Sequence, residues 1–83
     1  MPTRANPSVT GLGAIVGERL RTLRKAQRIT LVELAGSSQV NIATISRIER
    51  GLSVGPVTCH LKLASVLGLT LSELYAGVGR TPR

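Results

Sequence analysis

The chain has 83 residues, with eleven Lys and Arg against four Asp and Glu and a net charge of +7. A chain of this length forms one domain that buries only about 60 to 65% of its unfolded surface, so there is no room for a second, catalytic domain. With no Phe or Trp and one Tyr, the core must be aliphatic, which suits helix packing better than a ligand pocket. One Cys excludes an internal disulfide, and no apolar run reaches the length of a signal segment or a membrane span. A cytoplasmic protein with no membrane partner is therefore expected.

In chain order, residues 1–10, with Pro2 and Pro7, read as a flexible arm. A first helix is expected from Leu12 to Ala26, with Val16, Leu20 and Leu23 as its apolar stripe and Arg19, Arg21 and Lys25 outward. Thr30 followed by Glu33 is a capping box, and Ile29 and Leu34 stand at hydrophobic-staple spacing, so a second helix begins at Leu31. After a gap of only about four residues, Asn41 caps a third helix. Val40 and Ile45 repeat the staple, and Gly51 stops the helix after Arg50.

Ile45, Ile48 and Leu52 mark the packed side of that third helix. Ala43, Ser46, Arg47 and Arg50 project the other way, with Ile42 at the margin. One small residue, one hydroxyl and two guanidiniums make poor core material, but they suit a groove lined with base edges and phosphates. A loop over Leu52 to Gly55 leads to Pro56 at the first position of a fourth helix, whose buried side is read as Val57, Leu61, Ala64 and Leu67 and which stops at Gly68. Thr70 and Glu73 form a second capping box, with Leu69 and Leu74 at staple spacing, so a short fifth helix ends near Ala76. Residues 77–83 are expected to form a loose tail.

Eight basic groups fall in the first fifty residues: Arg4, Arg19, Arg21, Arg24, Lys25, Arg28, Arg47 and Arg50. Such clustering attracts polyanions. Other chemistry is set aside. Gly11, Gly13 and Gly17 miss nucleotide-loop spacing and follow no strand. Cys59 and His60 are neighbours, about 100° apart on a helix, and no second Cys or His exists to complete a metal site. A thiol nucleophile would need a shaped cleft, so Cys59 reads as a small helix residue and no catalytic residue is assigned.

The pieces GERLRTLRKAQ, ELA, TISRIERG and LKLASVLGLTLSEL, in this order, resemble the helix-turn-helix of the lambda repressor, Cro and related regulators of the XRE type. The resemblance covers roughly Ile15 to Tyr75. It departs where the family carries a phosphate-holding Gln, here Leu31, and where it favours Gly, here Arg28 and Gln39. Those two side chains are strained if φ is positive.

The resemblance implies an all-α, compact five-helix domain over residues 11–76. Such a protein would bind double-stranded DNA sequence-specifically as a transcriptional regulator, most simply a repressor, without enzymatic activity or cofactor. Ile42, Ala43, Ser46 and Arg47 would face bases. Leu31 (through its backbone N–H), Asn41, Thr44, Arg50 and Lys25 would hold phosphates. Arg24 would pair with Glu49 to join the first helix to the third, and His60 aligns with a position that is usually apolar. A homodimer on a near-palindromic operator is expected, with half-site centres about 10 base pairs apart and Leu69, Leu71, Leu74 and Tyr75 at the subunit contact. The alternatives are a protein-interaction or antitoxin-like module on the same fold, or the DNA-binding part of a longer regulator.

Overall fold

A computed structural model describes residues 7–76, with side chains from residue 14 onward. Among these residues there are five α-helices and no strand: α1 Pro7–Ala26, α2 Leu31–Ser38, α3 Ile42–Glu49, α4 Val57–Val66 and α5 Leu71–Leu74. Helix α1 starts five residues before the expected Leu12. Pro7 lacks an N–H that the first turn would leave unsatisfied, and its ring presets a helical φ, so Pro7 to Thr10 belong to the helix and not to the arm. Residues 1–6 of the expected arm and the tail over 77–83 lie outside the described residues.

The capping chemistry sets the other starts. Thr30 Oγ1 accepts from the Glu33 N–H at 3.0 Å while the Glu33 carboxylate accepts from the Thr30 N–H at 2.8 Å. Thr70 and Glu73 repeat this box on α5 at 3.1 and 2.9 Å. Asn41 Oδ1 accepts from the Ala43 N–H at 2.7 Å and opens α3. Between α2 and α3 the chain reverses through Gln39 at φ 64°, and between α1 and α2 through Arg28 at φ 59°. Both side chains sit in the left-handed region that favours Gly, a conformation the packed helices on either side must impose.

The core is aliphatic: Leu20, Leu34, Val40, Ile45, Ile48, Leu63, Ala64, Leu67 and Leu74 form one buried cluster. Fully burying each large side chain contributes roughly 1.5 to 3 kcal/mol. Three details depart from the sequence reading. Leu52 is 61% exposed because Gly51, at φ 74°, turns the chain away from the packed side of α3. Val57 and Leu61 are also exposed, since α4 buries the face carrying His60, Leu63, Ala64 and Leu67. Pro56 is the N-cap of α4, so the helix begins at Val57, one residue later than expected.

The expected subunit contact is corrected at Leu74 alone. Leu74 is 1% exposed and belongs to the core, with Leu69, Leu71 and Tyr75 half-buried against it. A one-turn α5 packs against α1 and α4 and needs Leu74 to do so.

Candidate nucleic-acid interface

Helix α3 is positioned by its neighbour α1. A Cβ on Gly17 would lie 1.9 Å from the Ile48 carbonyl oxygen, so this contact exists only because residue 17 has no side chain. One turn on, Leu20 fills the interior, and a further turn brings Arg24 across to α3. Arg24 Nε donates to Glu49 Oε2 at 2.7 Å and Nη2 to Oε1 at 3.0 Å, a bidentate pair with side chains only 10% and 5% exposed. Its Nη1 donates to the Ile29 carbonyl at 2.8 Å, tying the turn before α2 to the same guanidinium. The hydrogen bonds to Glu49 hold the Arg24 guanidinium above its ordinary range, against the opposing effect of burial.

The outer side of α3 follows from this anchoring. Ile42, at 42% exposure, with Ala43, Arg47 and Arg50, faces solvent, while Thr44 and Ser46 are half-buried. Neither Arg47 nor Arg50 makes a side-chain hydrogen bond or ion pair among the described residues. Ser46 does not share the openness of Ala43 and Arg47. It lines a depression with Arg21, Arg24, Leu31, Glu49 and Arg50 where α1, the start of α2 and α3 meet. The structure thus brings Leu31, Ser46 and Arg50 together around the Arg24 and Glu49 pair. Lys25 is exposed in the last turn of α1, where its charge complements the helix dipole. Asn41 is exposed, with its amide oxygen engaged in the cap.

The acidic groups are spent elsewhere. Glu33 and Glu73 close capping boxes and Glu49 pairs with Arg24, which leaves Glu18 as the one carboxylate without a partner among the described residues. Arg21, Lys25, Arg28, Arg47 and Arg50 are exposed on the first three helices and their turns. Such an arrangement can hold an anionic backbone and present a short helix face to it. Among the described residues no cluster of His, Cys, Asp and Glu could hold a metal, and no helix is long and apolar enough to cross a membrane.

The model of the family described as helix-turn-helix domain matches residues 15–76. The chain belongs to that family. Its relatives include the HTH-type transcriptional regulator DdrOP3 of Deinococcus deserti, 36% identical over 61 residues, and the uncharacterised HTH-type transcriptional regulator RghRB of Bacillus subtilis, 41% identical over 64. The matches cover 74% and 76% of this chain but 47% and 46% of those relatives, so the chain spans just under half their length. The crystal structure of an HTH_3 family transcriptional regulator from Vibrio cholerae superposes with a TM-score of 0.78 at 28% identity, over 83% of this chain and 39% of that one. Within this helix-turn-helix domain, α2 and α3 are the two helices of the motif and Gln39 stands in its turn.

Three functional contributors escape the sequence reading. Arg21 is read there only as an outward charge, although its spacing of three and four from Arg24 and Lys25 puts it on their side of α1. Gly17 is weighed only as part of a nucleotide loop. His60 is 3% exposed and bridges two elements: its Nε2 donates to the Val54 carbonyl at 2.6 Å, which fixes the tautomer, and its Nδ1 then accepts from the Tyr75 hydroxyl at 2.5 Å. The ring also meets Tyr75 edge-on, with centroids 5.5 Å apart. This network ties the loop leaving α3 to α4 and α5. Burial raises the Tyr75 pKa above its ordinary value.

Proposed function

We propose that the chain is a sequence-specific DNA-binding transcriptional regulator, acting without enzymatic chemistry, that lays α3 in the major groove. The family assignment and the relatives described as transcriptional regulators support this reading. The observation that carries it is the solvent face of α3, where Ile42, Ala43 and Arg47 stand uncommitted beside a capped helix start. Ile42 and Ala43 suit contact with a thymine methyl, and Arg47 has the planar fork that clasps guanine O6 and N7. Ser46 can hydrogen-bond a base edge from the margin. The N–H groups at the starts of α2 and α3, at Leu31 and Asn41, hold phosphates with Thr44, Arg50 and Lys25 and set the register.

A single short helix reads few base pairs. Two copies on a near-palindrome, with recognition helices about 34 Å apart, supply the rest. Repression follows if that site overlaps a promoter. The unit responsible is residues 11–76, and a cytoplasmic location fits a nucleoid target.

Titration of two variants against preferred and scrambled duplexes at several salt concentrations tests the reading. Arg47→Ala is expected to cost ~1 to 3 kcal/mol on the preferred site and relax the choice at one base pair per half-site. Arg50→Ala is expected to weaken all duplexes alike and reduce the salt slope by up to about one. Equal losses on both duplexes for Arg47→Ala would make it a phosphate ligand. Absence of binding by the unmodified chain to any duplex would favour the protein-interaction module instead.

A further inference from the structure

We infer that Arg21 joins Arg50 in a clamp on a single backbone phosphate of the bound duplex; this rests on the regulator reading and adds a residue to its site. Both side chains line the depression that Leu31, Ser46, Arg24 and Glu49 complete. The one carboxylate there, Glu49, gives both oxygens to Arg24, so the pair is internally neutralised and the charges of Arg21 and Arg50 stay uncompensated. Neither guanidinium has a hydrogen-bond or ion-pair partner among the described residues. With the Glu49 oxygens engaged, the depression offers an incoming group chiefly donors, the two arginine forks.

That inventory selects an anion with several acceptor oxygens. A base edge, even one that presents only acceptors, is uncharged and would leave the two positive charges uncompensated. Leu31 makes the arginines necessary, because its side chain has nothing to give a phosphate oxygen. Two like charges set around one depression repel each other, and a bound phosphate relieves that repulsion. Arg21 is therefore a positioning residue: it fixes where the backbone passes while leaving base choice to Ala43 and Arg47.

The test uses Arg21→Ala, Arg21→Lys, Arg50→Ala and the double alanine variant with preferred and scrambled duplexes. Arg21→Ala is expected to lose affinity equally on both and to leave base preference unchanged. Each phosphate no longer neutralised removes about 0.9 from the salt slope, so a roughly fourfold rise in salt weakens the wild type about 3.5 times more than the double variant. The singles, which keep one arginine on the phosphate, lose only part of that slope, and the double variant loses one phosphate's worth and not two. Arg21→Lys retains most of the binding, and thermal unfolding at low salt shows Arg21→Ala no less stable than wild type, which a purely structural role for Arg21 would not give.

Wild-type affinity in Arg21→Ala overturns the clamp and leaves the regulator reading standing, and a double-variant slope loss of about two phosphates' worth overturns it by assigning two separate phosphates. If the wild type binds no duplex, the regulator reading falls. Titration with inorganic phosphate then judges the site alone: amide shifts around Arg21 and Leu31 that vanish in the double variant support it, and their absence overturns it.

Discussion

Where α3 meets α1, the contact is backbone against backbone at Gly17 and guanidinium against carboxylate at Arg24 and Glu49. Where the chain leaves α3 for α4 and α5, the fastening is an imidazole hydrogen-bonded between a carbonyl and a phenol. The first has no slack in volume and carries charge, so it fails when an atom is added or one partner is removed. The second has no ion pair and depends on two hydrogen bonds closing together. One helix is thus set by two couplings that answer to different perturbations, and each can be altered alone.

The most severe break is Gly17→Ala. Its new methyl overlaps the Ile48 carbonyl, α1 and α3 must separate, and urea unfolding is expected to show a loss of at least ~3 kcal/mol. Gly36→Ala is the control: nothing lies within 4 Å of its added Cβ, so it gains up to ~1 kcal/mol of helix propensity. A small loss at Gly17 would mean the two helices can slide, and the rigid side of the comparison would not hold.

Next comes the charged pair. Glu49→Ala leaves Arg24 facing a poorly hydrated site and is expected to cost up to ~3 kcal/mol, discounted for the residual exposure of both groups. A double-mutant cycle with Arg24→Ala measures the coupling, and additive losses would reduce the pair to proximity.

On the imidazole side, His60→Leu strands the Val54 carbonyl and the Tyr75 hydroxyl and is expected to cost ~1 to 3 kcal/mol. Tyr75→Phe leaves only the imidazole Nδ1 unmatched, at about 1 kcal/mol. Equal losses from the two would mean that the Val54 bond contributes nothing.

The smallest effect is a pH dependence. Burial raises the folded-state pKa of Tyr75, so as pH rises the unfolded chain gives up this proton first. The stability it contributes is present in full below about pH 10 and is lost as pH rises through the folded value. The stability difference between wild type and Tyr75→Phe should therefore narrow above about pH 10. An unchanged difference would remove burial of the phenol from the account.

The helix starts were readable in advance because capping is local: Thr30 with Glu33, Asn41, and Thr70 with Glu73 act within one turn. The outward side of α3 was readable because Ile45 and Ile48 leave one face for the interior. Helix α4 was misread for the opposite reason. Val57, Cys59, Leu61, Leu63, Ala64, Val66 and Leu67 put apolar groups all around it, so periodicity cannot choose a side. The choice is made by His60, whose partners Val54 and Tyr75 lie in other elements. Leu74 looked surplus because a residue count does not reveal how much interior a one-turn helix must cover. Gly17 owes its importance to α3, which is distant in sequence, and no spacing on α1 shows that.

The commitment of three of the four carboxylates to caps and to Arg24 also shapes how the molecule meets its target. Local acidic counterweights near the exposed arginines are scarce, since Glu18 alone is unengaged among the described residues. The long-range field follows the net charge of +7 and is positive. Encounter with a polyanion should be steered toward on-rates of ~10⁸ M⁻¹ s⁻¹ at low ionic strength and slow steeply as salt is added. Before any base is read, the chain would spend its search loosely held along the polymer, with salt concentration setting the length of each visit.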